Sequence, residues 1–411
     1  MSLILYRTLW LLVTPAVVAW SLQQTITRRG GLTYLLERFG FAKKATHGAT
    51  PVWFHAASVG EMRLAIPLIS EALEHGVLVT CNTPEAYRLA SATFGDKVAI
   101  RYCPLDYLQS VKIFIKRHQP ASVFVVETEV WPELYEQCHR DGVAIHIVNG
   151  RISDKTFRSV LARRWLYPGA LKRVTAVWAR EADDAKKFIA MGCPSEKVHF
   201  TGSLKMTRRV HERKPENPLP HRDFTLAIST HPGEERIITE VWRGVSSTNL
   251  LVLIPRHPPR VPSIIKALES EGFKVGRTSS LTAVGADIGV LVVDTIGEVD
   301  PYCAHASFVF VGGSMIDAGG HNVFEPLSWG RAIIVGPHTH NFAAEVEYLT
   351  SKQAISIVET DEALYESWQK LTHDLVFRER LEACAREAYS ALPDKVSDYA
   401  ALINQAVKAR G

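Results

Sequence analysis

The chain has 411 residues, of which 46% are hydrophobic and 22% are charged, and its formal net charge is +4. This length exceeds that of a typical single domain and predicts two domains that each bury their own core. The composition is that of a folded protein without a large disordered part. The net charge is far below that of a typical nucleic-acid-binding protein, although it is compatible with an anionic substrate or membrane surface.

Several well-known motifs are absent from the sequence. The six cysteines form no C-x-x-C pair, which predicts neither a zinc site nor a disulfide framework and favours a reducing cytoplasm. No G-x-G-x-x-G follows a strand, no Walker P-loop is present, and no Asp-x-Asp pair offers itself to a metal diphosphate. We interpret His338 and His340 as loop histidines rather than metal ligands.

The N-terminal segment differs from the rest of the chain. Residues 10–22 carry no charge, and with residues 3–6 they form an apolar stretch of roughly 20 residues that only Arg7 interrupts. We predict a membrane-anchoring helix at residues 1–25, with a buried core helix as the alternative. The basic residues that follow it resist translocation and predict a cytoplasmic body: Arg28, Arg29, Arg38, Lys43 and Lys44.

After residue 50, short runs rich in Val, Ile and Phe alternate with amphipathic stretches of helical length, which predicts parallel sheets. The first series is VLVT, VAIRYC, SVFVVE, AIHIVN, TAVWA and VHFTG, and the second is LAIS, LLVLIP, VLVVD, FVFVG and AIIVG. A charged, proline-containing linker is predicted at 208–223. We therefore predict an α/β protein with Rossmann-like domains at 26–207 and 224–385 and a closing helix at 386–411. A ligand site is expected in a cleft between the domains.

A strand-turn-helix segment, Trp53–Arg63, offers the first candidate catalytic residue. Glu61 lies near the predicted helix N-terminus, where the helix dipole favours an ionised carboxylate that could act as a general base. The alternative is a helix charge without a catalytic role. Ser58 is only weakly indicated as a nucleophile, because Ala56 stands where the G-x-S-x-G motif needs a glycine.

Charged residues also follow other strands of the first series. Glu127 and Glu129 come at the end of SVFVVE, and both could line one site because alternate residues of a strand share a face. Arg151 and Lys205 follow the runs AIHIVN and VHFTG and could hold the phosphate or carboxylate of an anionic donor. Ordinary surface charge is the alternative for each of them.

The second series carries a predicted nucleotide site. The turn at 229–235 places hydroxyl groups at the start of a helix, where phosphate can bind. Arg256 follows the next strand, and the glycine pairs at 312–313 and 319–320 would let backbone amides approach a phosphate. Glu325 could accept the ribose hydroxyls. The alternative is that these are ordinary turn glycines.

In this order and spacing, the segments resemble the 3-deoxy-D-manno-octulosonic acid (Kdo) transferases of lipopolysaccharide synthesis. The segments that carry the resemblance are WFHAASVGE, ETEVWPEL, NGRIS, GSLK, STHPGEE, PRHPPR, FVGGSMIDAGGHNVFEP and GPHTHNF. The resemblance implies a glycosyltransferase-B fold with two domains facing across a cleft. It also implies metal-independent, inverting transfer of Kdo from CMP-Kdo, which is a substrate, to a lipid A precursor. The reaction would take place on the cytoplasmic side of the inner membrane, with no further cofactor and no nucleic-acid partner.

The resemblance implies roles for individual residues. Glu61 would be the base, and Glu129 and Lys205 would stabilise the transition state. CMP would be bound by residues that follow strands of the second series, namely Pro255, Arg256, Gly297, Glu298, Val299, Asn322, Val323, Phe324 and Glu325. No residue is implied as a metal ligand, since a monophosphate can be held by arginine and backbone amides.

Three places depart from the family pattern. Residues 82–86 stand where a Thr-Pro-Thr-Gly-like turn is usual, Glu133 stands where Asn is expected after Trp-Pro, and Met206 and Thr207 replace an aromatic residue and Asp. We expect these changes to affect recognition of the acceptor rather than the base or the nucleotide site.

Other functions are compatible with the same segments. One is a different two-domain nucleotide-sugar enzyme, such as a UDP-sugar transferase or epimerase, which UDP rather than CMP would protect. The second is a membrane-tethered nucleotide-binding protein without catalysis, for which Glu61→Gln would have no effect. The third is a serine hydrolase that uses Ser58 and would react with a serine-directed probe.

Overall fold

The computed structural model describes residues 3–27, 31–44, 51–162, 167–208, 213–245, 249–280, 284–285, 287–295 and 297–408. Arg28 and Arg29 of the predicted basic flank lie outside the described residues, as do residues 209–212 of the predicted linker. The chain divides into two compact units. The first comprises Met1–Thr207 with Asp394–Gly411, and the second comprises Arg208–Pro393.

The first unit is built on a parallel sheet. Its strands are β1 (Val52–His55), β2 (Val77–Cys81), β3 (Ala99–Tyr102), β4 (Ser122–Val126), β5 (Ala144–Gly150), β6 (Ala176–Ala179) and β7 (Val198–Phe200). They lie in the order β3-β2-β1-β4-β5-β6-β7, and all pairs are parallel. β1, β2 and β4 are buried along their whole length, as expected of a parallel sheet with helices on both faces.

Helices cover both faces of this sheet. They are α1 (Leu3–Thr27), α2 (Gly31–Arg38), α3 (Val59–Glu71), α4 (Pro84–Phe94), α5 (Leu108–His118), α6 (Pro132–Arg140), α7 (Asp154–Ala162), α8 (Tyr167–Leu171) and α9 (Ala182–Ala190). Phe54 and Met62 belong to the core on one face, and Trp53 and Phe114 belong to the core on the other. The alternation of side chains along β1 thus supplies both cores.

The second unit has the same architecture. Its strands are β8 (Phe224–Thr230), β9 (Leu250–Pro255), β10 (Val275–Arg277), β11 (Val290–Val292), β12 (Val309–Val311), β13 (Ile333–Val335) and β14 (Ser356–Ile357). They form a parallel sheet in the order β10-β11-β9-β8-β12-β13-β14. Its helices are α10 (Glu234–Val245), α11 (Val261–Ser270), α12 (Val299–His305), α13 (Phe324–Ser328), α14 (Ala343–Ser351), α15 (Asp361–His373) and α16 (Leu375–Ser390).

The predicted fold class is therefore confirmed as two α/β units, each with one parallel sheet. Every strand predicted from an apolar run is present. The edge strands β10 and β14 were not predicted, because they have only three and two residues and carry no apolar run.

The last helix, α17 (Lys395–Lys408), belongs to the first unit. The Tyr399 hydroxyl is buried and donates to the carbonyl of Gly202 at 2.9 Å. The chain returns to this unit at Asp394, whereas the closing segment was predicted to start at residue 386, inside α16. The uniform Ala- and Glu-rich composition of this stretch gives no sign of the return.

The N-terminal segment forms a single long helix, α1. Residues Leu3–Gln23 are long and apolar enough to cross a membrane, and only 6% of the most apolar window is buried. Exposed apolar side chains include Leu11 and Leu12. α1 is therefore a candidate membrane anchor, and the alternative of a buried core helix is wrong.

Polar contacts hold α1 against the rest of the first unit. Arg7 Nε and Nη2 donate to the two carboxylate oxygens of Glu133 at 2.8 and 2.9 Å, and the Glu133 side chain is fully buried. The Tyr6 hydroxyl donates to Asp106 Oδ2 at 2.5 Å. The Trp10 ring lies 4.9 Å from that of Tyr107. Glu133, which departs from the family pattern, thus serves to dock α1.

Candidate active site

The strand order of the first unit reverses at β1, between its neighbours β2 and β4. Ligands of open parallel sheets bind outside the carboxyl ends of the strands at such a reversal. The segment that follows β1 carries Glu61, and the segment that follows β4 carries Glu127 and Glu129. The fold thus positions the predicted catalytic carboxylates at the expected edge of the sheet.

Glu61 lies in the first turn of α3 and is held by reciprocal hydrogen bonds. Ser58 Oγ caps the helix by accepting from the amide of Glu61 at 3.3 Å. In return, Glu61 Oε2 accepts from the amide of Ala57 at 2.6 Å, and Glu61 Oε1 accepts from Ser58 Oγ at 3.1 Å. The arrangement is a variant of the capping box. It turns the carboxylate back over the end of β1.

The electrostatic surroundings of Glu61 differ from the sequence-based expectation. Burial raises the pKa of Glu61 to about 7, and the charges of Glu129 and Glu127 add to the rise, whereas the Ala57 and Ser58 hydrogen bonds oppose it. The sequence-based expectation considered only the helix dipole, and burial and like charges oppose its effect on the ionised form of Glu61. A carboxylate with a pKa near neutrality is well matched to a general base.

Glu127 and Glu129 come close to Glu61, but not for the predicted reason. β4 ends at Val126, and Glu127 has a φ of 62°, so the alternation of side chains along a strand does not apply to them. Burial raises the pKa of Glu129, opposed by a hydrogen bond from Trp131 and the charge of Arg38. The structure thus brings Glu61, Glu127 and Glu129 close enough to interact electrostatically, and Glu129 also interacts with Arg38.

Arg38 is a residue at this site that the sequence did not assign. It ends α2 and is 7% exposed. Its Nη1 donates to Asn82 Oδ1 and to the carbonyl of Cys103, each at 2.7 Å. No carboxylate among the described residues forms an ion pair with it, and its Nε is buried without a hydrogen-bond partner there. In the sequence, the only sign of a role for Arg38 at this site was that a basic residue lies 23 positions before Glu61.

Lys205 lies on a turn tied to the end of β5. Asn149, buried with a φ of 53°, accepts from the amide of Leu204 through Oδ1 at 3.0 Å. Thr128 Oγ1 donates to the carbonyl of Arg151. These bonds hold the segments after β4, β5 and β7 at the same carboxyl edge of the sheet.

The serine-hydrolase alternative is not supported. Ser58 Oγ is bonded to the carboxylate and amide of Glu61. His55, the nearest histidine in sequence, is fully buried and directs Nδ1 at Thr80 Oγ1 at 2.9 Å. A nucleophilic serine needs a base such as histidine within hydrogen-bond reach.

In the second unit, a carboxylate of the protein occupies several amides near the predicted phosphate site. Glu234 is fully buried. Its carboxylate accepts from the amides of His231, Gly313, Ser314 and Met315 at 2.7–3.0 Å. These four amides are therefore not free to bind phosphate, whereas phosphate binding at residues 319–320 stays a prediction.

A cationic and imidazole-rich surface adjoins that turn. His231 Nε2 and His321 Nε2 are 2.8 Å apart, their rings are stacked, and the His257 ring meets that of His231 edge-on at 5.8 Å. Burial, together with the nearby charge of Arg256, lowers the pKa of His321 to about 4. Arg256 is exposed and forms no ion pair with a described residue. Arg256 and the neighbouring imidazoles offer hydrogen-bond donors to an anion, and the charge of Glu234 acts on His231 from the protein side.

The remaining predicted nucleotide-binding residues lie at strand ends of the same unit. Pro255 ends β9, Gly297–Val299 leads into α12, and Asn322 Oδ1 accepts from the amide of Phe324 at 3.1 Å at the start of α13. Val323 and Phe324 are buried. Glu325 is half-buried in the first turn of α13.

No group of three or more His, Cys, Asp or Glu side chains in the described ranges is arranged to hold a metal ion. His338 and His340 are partly to largely exposed, and each lies 3.8 Å from Asp317.

A pocket of about 820 Å³ in the first unit lies beside α17 and is lined by residues such as His199 and Asp398. It contains none of the predicted site residues.

Residues 33–208 match the family model of 3-deoxy-D-manno-octulosonic-acid transferase (kdotransferase). The 3-deoxy-D-manno-octulosonic acid transferase of Haemophilus influenzae is 30% identical over 398 residues, which cover 92% of each chain. The chain belongs to the Kdo transferase family. The Bordetella pertussis transferase is 32% identical over 80% of this Kdo transferase and 82% of its own length.

Solved structures show the same fold in other enzymes. The UDP-GlcNAc 2-epimerase from Neisseria meningitidis superimposes on this Kdo transferase with a TM-score of 0.57, covering 88% of this chain and 100% of the epimerase. The two sequences are only 14% identical, so the likeness concerns the fold alone.

Proposed function

We propose that the protein transfers Kdo from CMP-Kdo to a lipid A precursor, lipid IVA, with inversion at the anomeric carbon and without a metal ion. Membership of the Kdo transferase family supports the donor and the reaction class. The exposed apolar helix α1 supports attachment of the protein to the inner membrane. The basic residues that follow it in the sequence support a body on the cytoplasmic side. In this proposal residues 26–207 bind the acceptor and residues 224–385 bind the donor.

In the proposed reaction, an acceptor hydroxyl oxygen attacks the anomeric carbon of Kdo. The bond from that carbon to the phosphate oxygen breaks, CMP leaves with the electron pair, and Glu61 takes the hydroxyl proton. Attack opposite the leaving group inverts the configuration, as in other inverting sugar transfers that use a carboxylate base. Glu129 and Lys205 stabilise charge in the oxocarbenium-like transition state.

The proposed donor site lies in the second unit. Arg256 is exposed, forms no ion pair with the part of the chain that the structure describes, and is suited to the CMP phosphate. Backbone atoms of Pro255, of Gly297–Val299 and of Asn322–Phe324 line the nucleotide, and Glu325 accepts the ribose hydroxyls. Because Glu234 occupies the amides at 313–315, the phosphate binds at Arg256 and the neighbouring histidines rather than at those glycines.

One observation carries the assignment of the base. Glu61 is half-buried, and its pKa of about 7 leaves a substantial ionised fraction at neutral pH while keeping the carboxylate basic enough to accept a proton. We expect Glu61→Gln to reduce kcat at least about a hundredfold, within the 10²–10⁴ usual for a general base.

The assay uses the purified protein, CMP-Kdo and lipid IVA, with products followed by mass spectrometry. Glu71→Gln is the matched control, because Glu71 ends the same helix and is exposed. Equal turnover of the two variants would rule out the role of Glu61. Protection of the protein by UDP but not by CMP would instead favour a UDP-sugar enzyme.

A further inference from the structure

A second pocket of the first unit, of about 190 Å³, lies between α1 and the carboxyl ends of β2 and β3. Trp10, Val17 and Trp20 of α1 form one wall, and Trp131, which follows β4, forms another. Among the described residues that line it, Arg38 is the only cation and Asp106 the only acid. The rest of the described lining is mostly apolar.

Arg38 is suited to bind an anion in this pocket. Its side chain is more than nine-tenths buried, it has no ion pair, and its buried Nε lacks a hydrogen-bond partner among the described residues. An unpaired buried guanidinium is costly unless a ligand supplies negative charge. Asn82 and the Cys103 carbonyl, which Nη1 contacts, bring dipoles but no charge. The Glu129 carboxylate interacts electrostatically with Arg38 but forms no ion pair with it among the described contacts.

The acid in the pocket does not neutralise Arg38. Asp106 also lines the cavity, but its Oδ2 accepts from the Tyr6 hydroxyl and the Glu133 amide, and its Oδ1 accepts from the Leu134 amide. Both carboxylate oxygens of Asp106 are therefore used by hydrogen bonds that hold α1 and α6 in place.

The apolar wall continues onto the outer surface of α1. Leu9, Leu11, Leu12 and Val13 are between 44% and 72% exposed, as is Trp20 near the pocket. An amphiphile could therefore place a charged group against Arg38 and direct its chains along α1, where they would meet the membrane.

We propose that this pocket binds the phosphate-bearing end of the lipid acceptor, with Arg38 holding the phosphate and α1 forming a wall of the binding site as well as a membrane anchor. The proposal rests on the proposed function. The pocket is close to the candidate base, since Trp131 lines it and also hydrogen-bonds to Glu129. An acceptor anchored there is held at the edge of the sheet that carries Glu61.

A bulky substitution that fills the pocket tests whether the lipid acceptor binds there. Val17→Trp inserts an indole from the α1 wall without changing a core residue, and Ile4→Trp, at an exposed position of the same helix that does not line the pocket, is the matched control. We expect Val17→Trp to raise the KM for lipid IVA about tenfold or more, a loss of about 1.4 kcal/mol of binding, with the KM for CMP-Kdo within about twofold of the wild type. Equal acceptor KM values for the two variants would overturn the proposal.

Replacing the cation tests the chemistry of the ligand. The wild type should prefer lipid IVA over its dephosphorylated form, and Arg38→Gln should reduce that preference about tenfold to a hundredfold, as for loss of a charged hydrogen bond. Arg38→Lys should restore part of it. A merely structural role for Arg38 would weaken both acceptors equally, and that result would contradict the proposal.

A binding measurement separates this proposal from the proposed reaction. Trp10, Trp20 and Trp131 line the pocket, so their fluorescence should change when lipid IVA binds in the absence of CMP-Kdo. The change should be lost in Val17→Trp and should not occur with inorganic phosphate alone. Binding without Kdo transfer would contradict only the proposed function, whereas transfer with an unchanged acceptor KM in Val17→Trp would contradict only the pocket.

Discussion

Glu234 Oε2 accepts a hydrogen bond from the amide of Gly313 at 2.7 Å, which joins the start of α10 to the segment that follows β12. The same carboxylate also accepts from the amides of His231, Ser314 and Met315. β8 and β12 are neighbours in the sheet. Glu234 therefore joins the segments at the carboxyl edge of the second sheet, where its strand order reverses. These hydrogen bonds also fix the backbone next to the adjoining histidines.

We expect Glu234→Gln to lower the free energy of unfolding by about 2–3 kcal/mol, because the amide nitrogen of Gln cannot accept from buried N–H groups. Urea unfolding followed by circular dichroism measures the change. Glu240→Gln, at an exposed position of the same helix, should lie within about 0.5 kcal/mol of the wild type. Unchanged unfolding of Glu234→Gln would show that these bonds contribute little to stability.

The pH dependence of transfer should follow Glu61. Since the base acts in its ionised form, kcat/KM should rise with pH and level off above about 7, the pKa to which burial raises this carboxyl. Glu127→Gln removes one of the negative charges that raise this pKa, so the rising limb should move to lower pH. The exposed Glu71→Gln should leave it in place, and equal shifts in both variants would argue against direct electrostatic coupling.

Glu61 should also make stability depend on pH. Its pKa is about 7 in the folded protein against an ordinary value of 4.5. Between these values the folded protein retains a proton that the unfolded chain has lost, so stability falls as the pH rises through this window. At pH 8, Glu61→Gln should therefore be more stable than the wild type by about 1–2 kcal/mol, a figure reduced for solvent screening. Below pH 4.5 the gain should vanish, and a constant difference from pH 4 to 8 would contradict this account.

Arg256→Ala should weaken CMP binding about tenfold to a hundredfold, the range expected for a charged hydrogen bond to phosphate. Isothermal titration calorimetry with CMP measures the effect. Lys266→Ala provides the control, because Lys266 is an exposed cation on α11 of the same unit. If both variants lost affinity equally, the effect would come from the general charge of the unit rather than from Arg256.

The docking of α1 should depend on a buried ion pair. Arg7→Ala leaves the fully buried Glu133 carboxylate without its cation, which should destabilise the first unit by about 3 kcal/mol. Adding Glu133→Leu should restore part of that loss, since apolar replacement of a buried pair is often tolerated. Urea unfolding of the single and double variants gives the coupling. Equal stability of Arg7→Ala and the double variant would indicate that Glu133 remains solvated.

Much of the fold could be predicted because local patterns agree with it. Apolar runs marked the buried strands, and the charged segment after residue 207 marked the boundary between units. Ser58 and Glu61 are three residues apart, which is the spacing of a capping box, so this part of the site could be recognised from sequence.

Long-range relationships could not be predicted in the same way. Glu133 finds its partner in Arg7, 126 residues away in sequence, and Glu234 finds Gly313, 79 residues away. The left-handed backbone at Glu127 and the burial that raises the pKa of Glu61 also arise from tertiary packing. Arg38 was read only as part of a basic flank, because its position at the sheet edge depends on the docking of α2.

The return of α17 to the first unit has a consequence for biosynthesis. Tyr399 completes that unit's core through its bond to the Gly202 carbonyl, yet it is translated after the whole of the second unit. Residues 1–207 leave the ribosome lacking this part of their core, so the amino-terminal unit can be completed only after the carboxyl-terminal unit has emerged. The final helix therefore couples maturation of one unit to synthesis of the other.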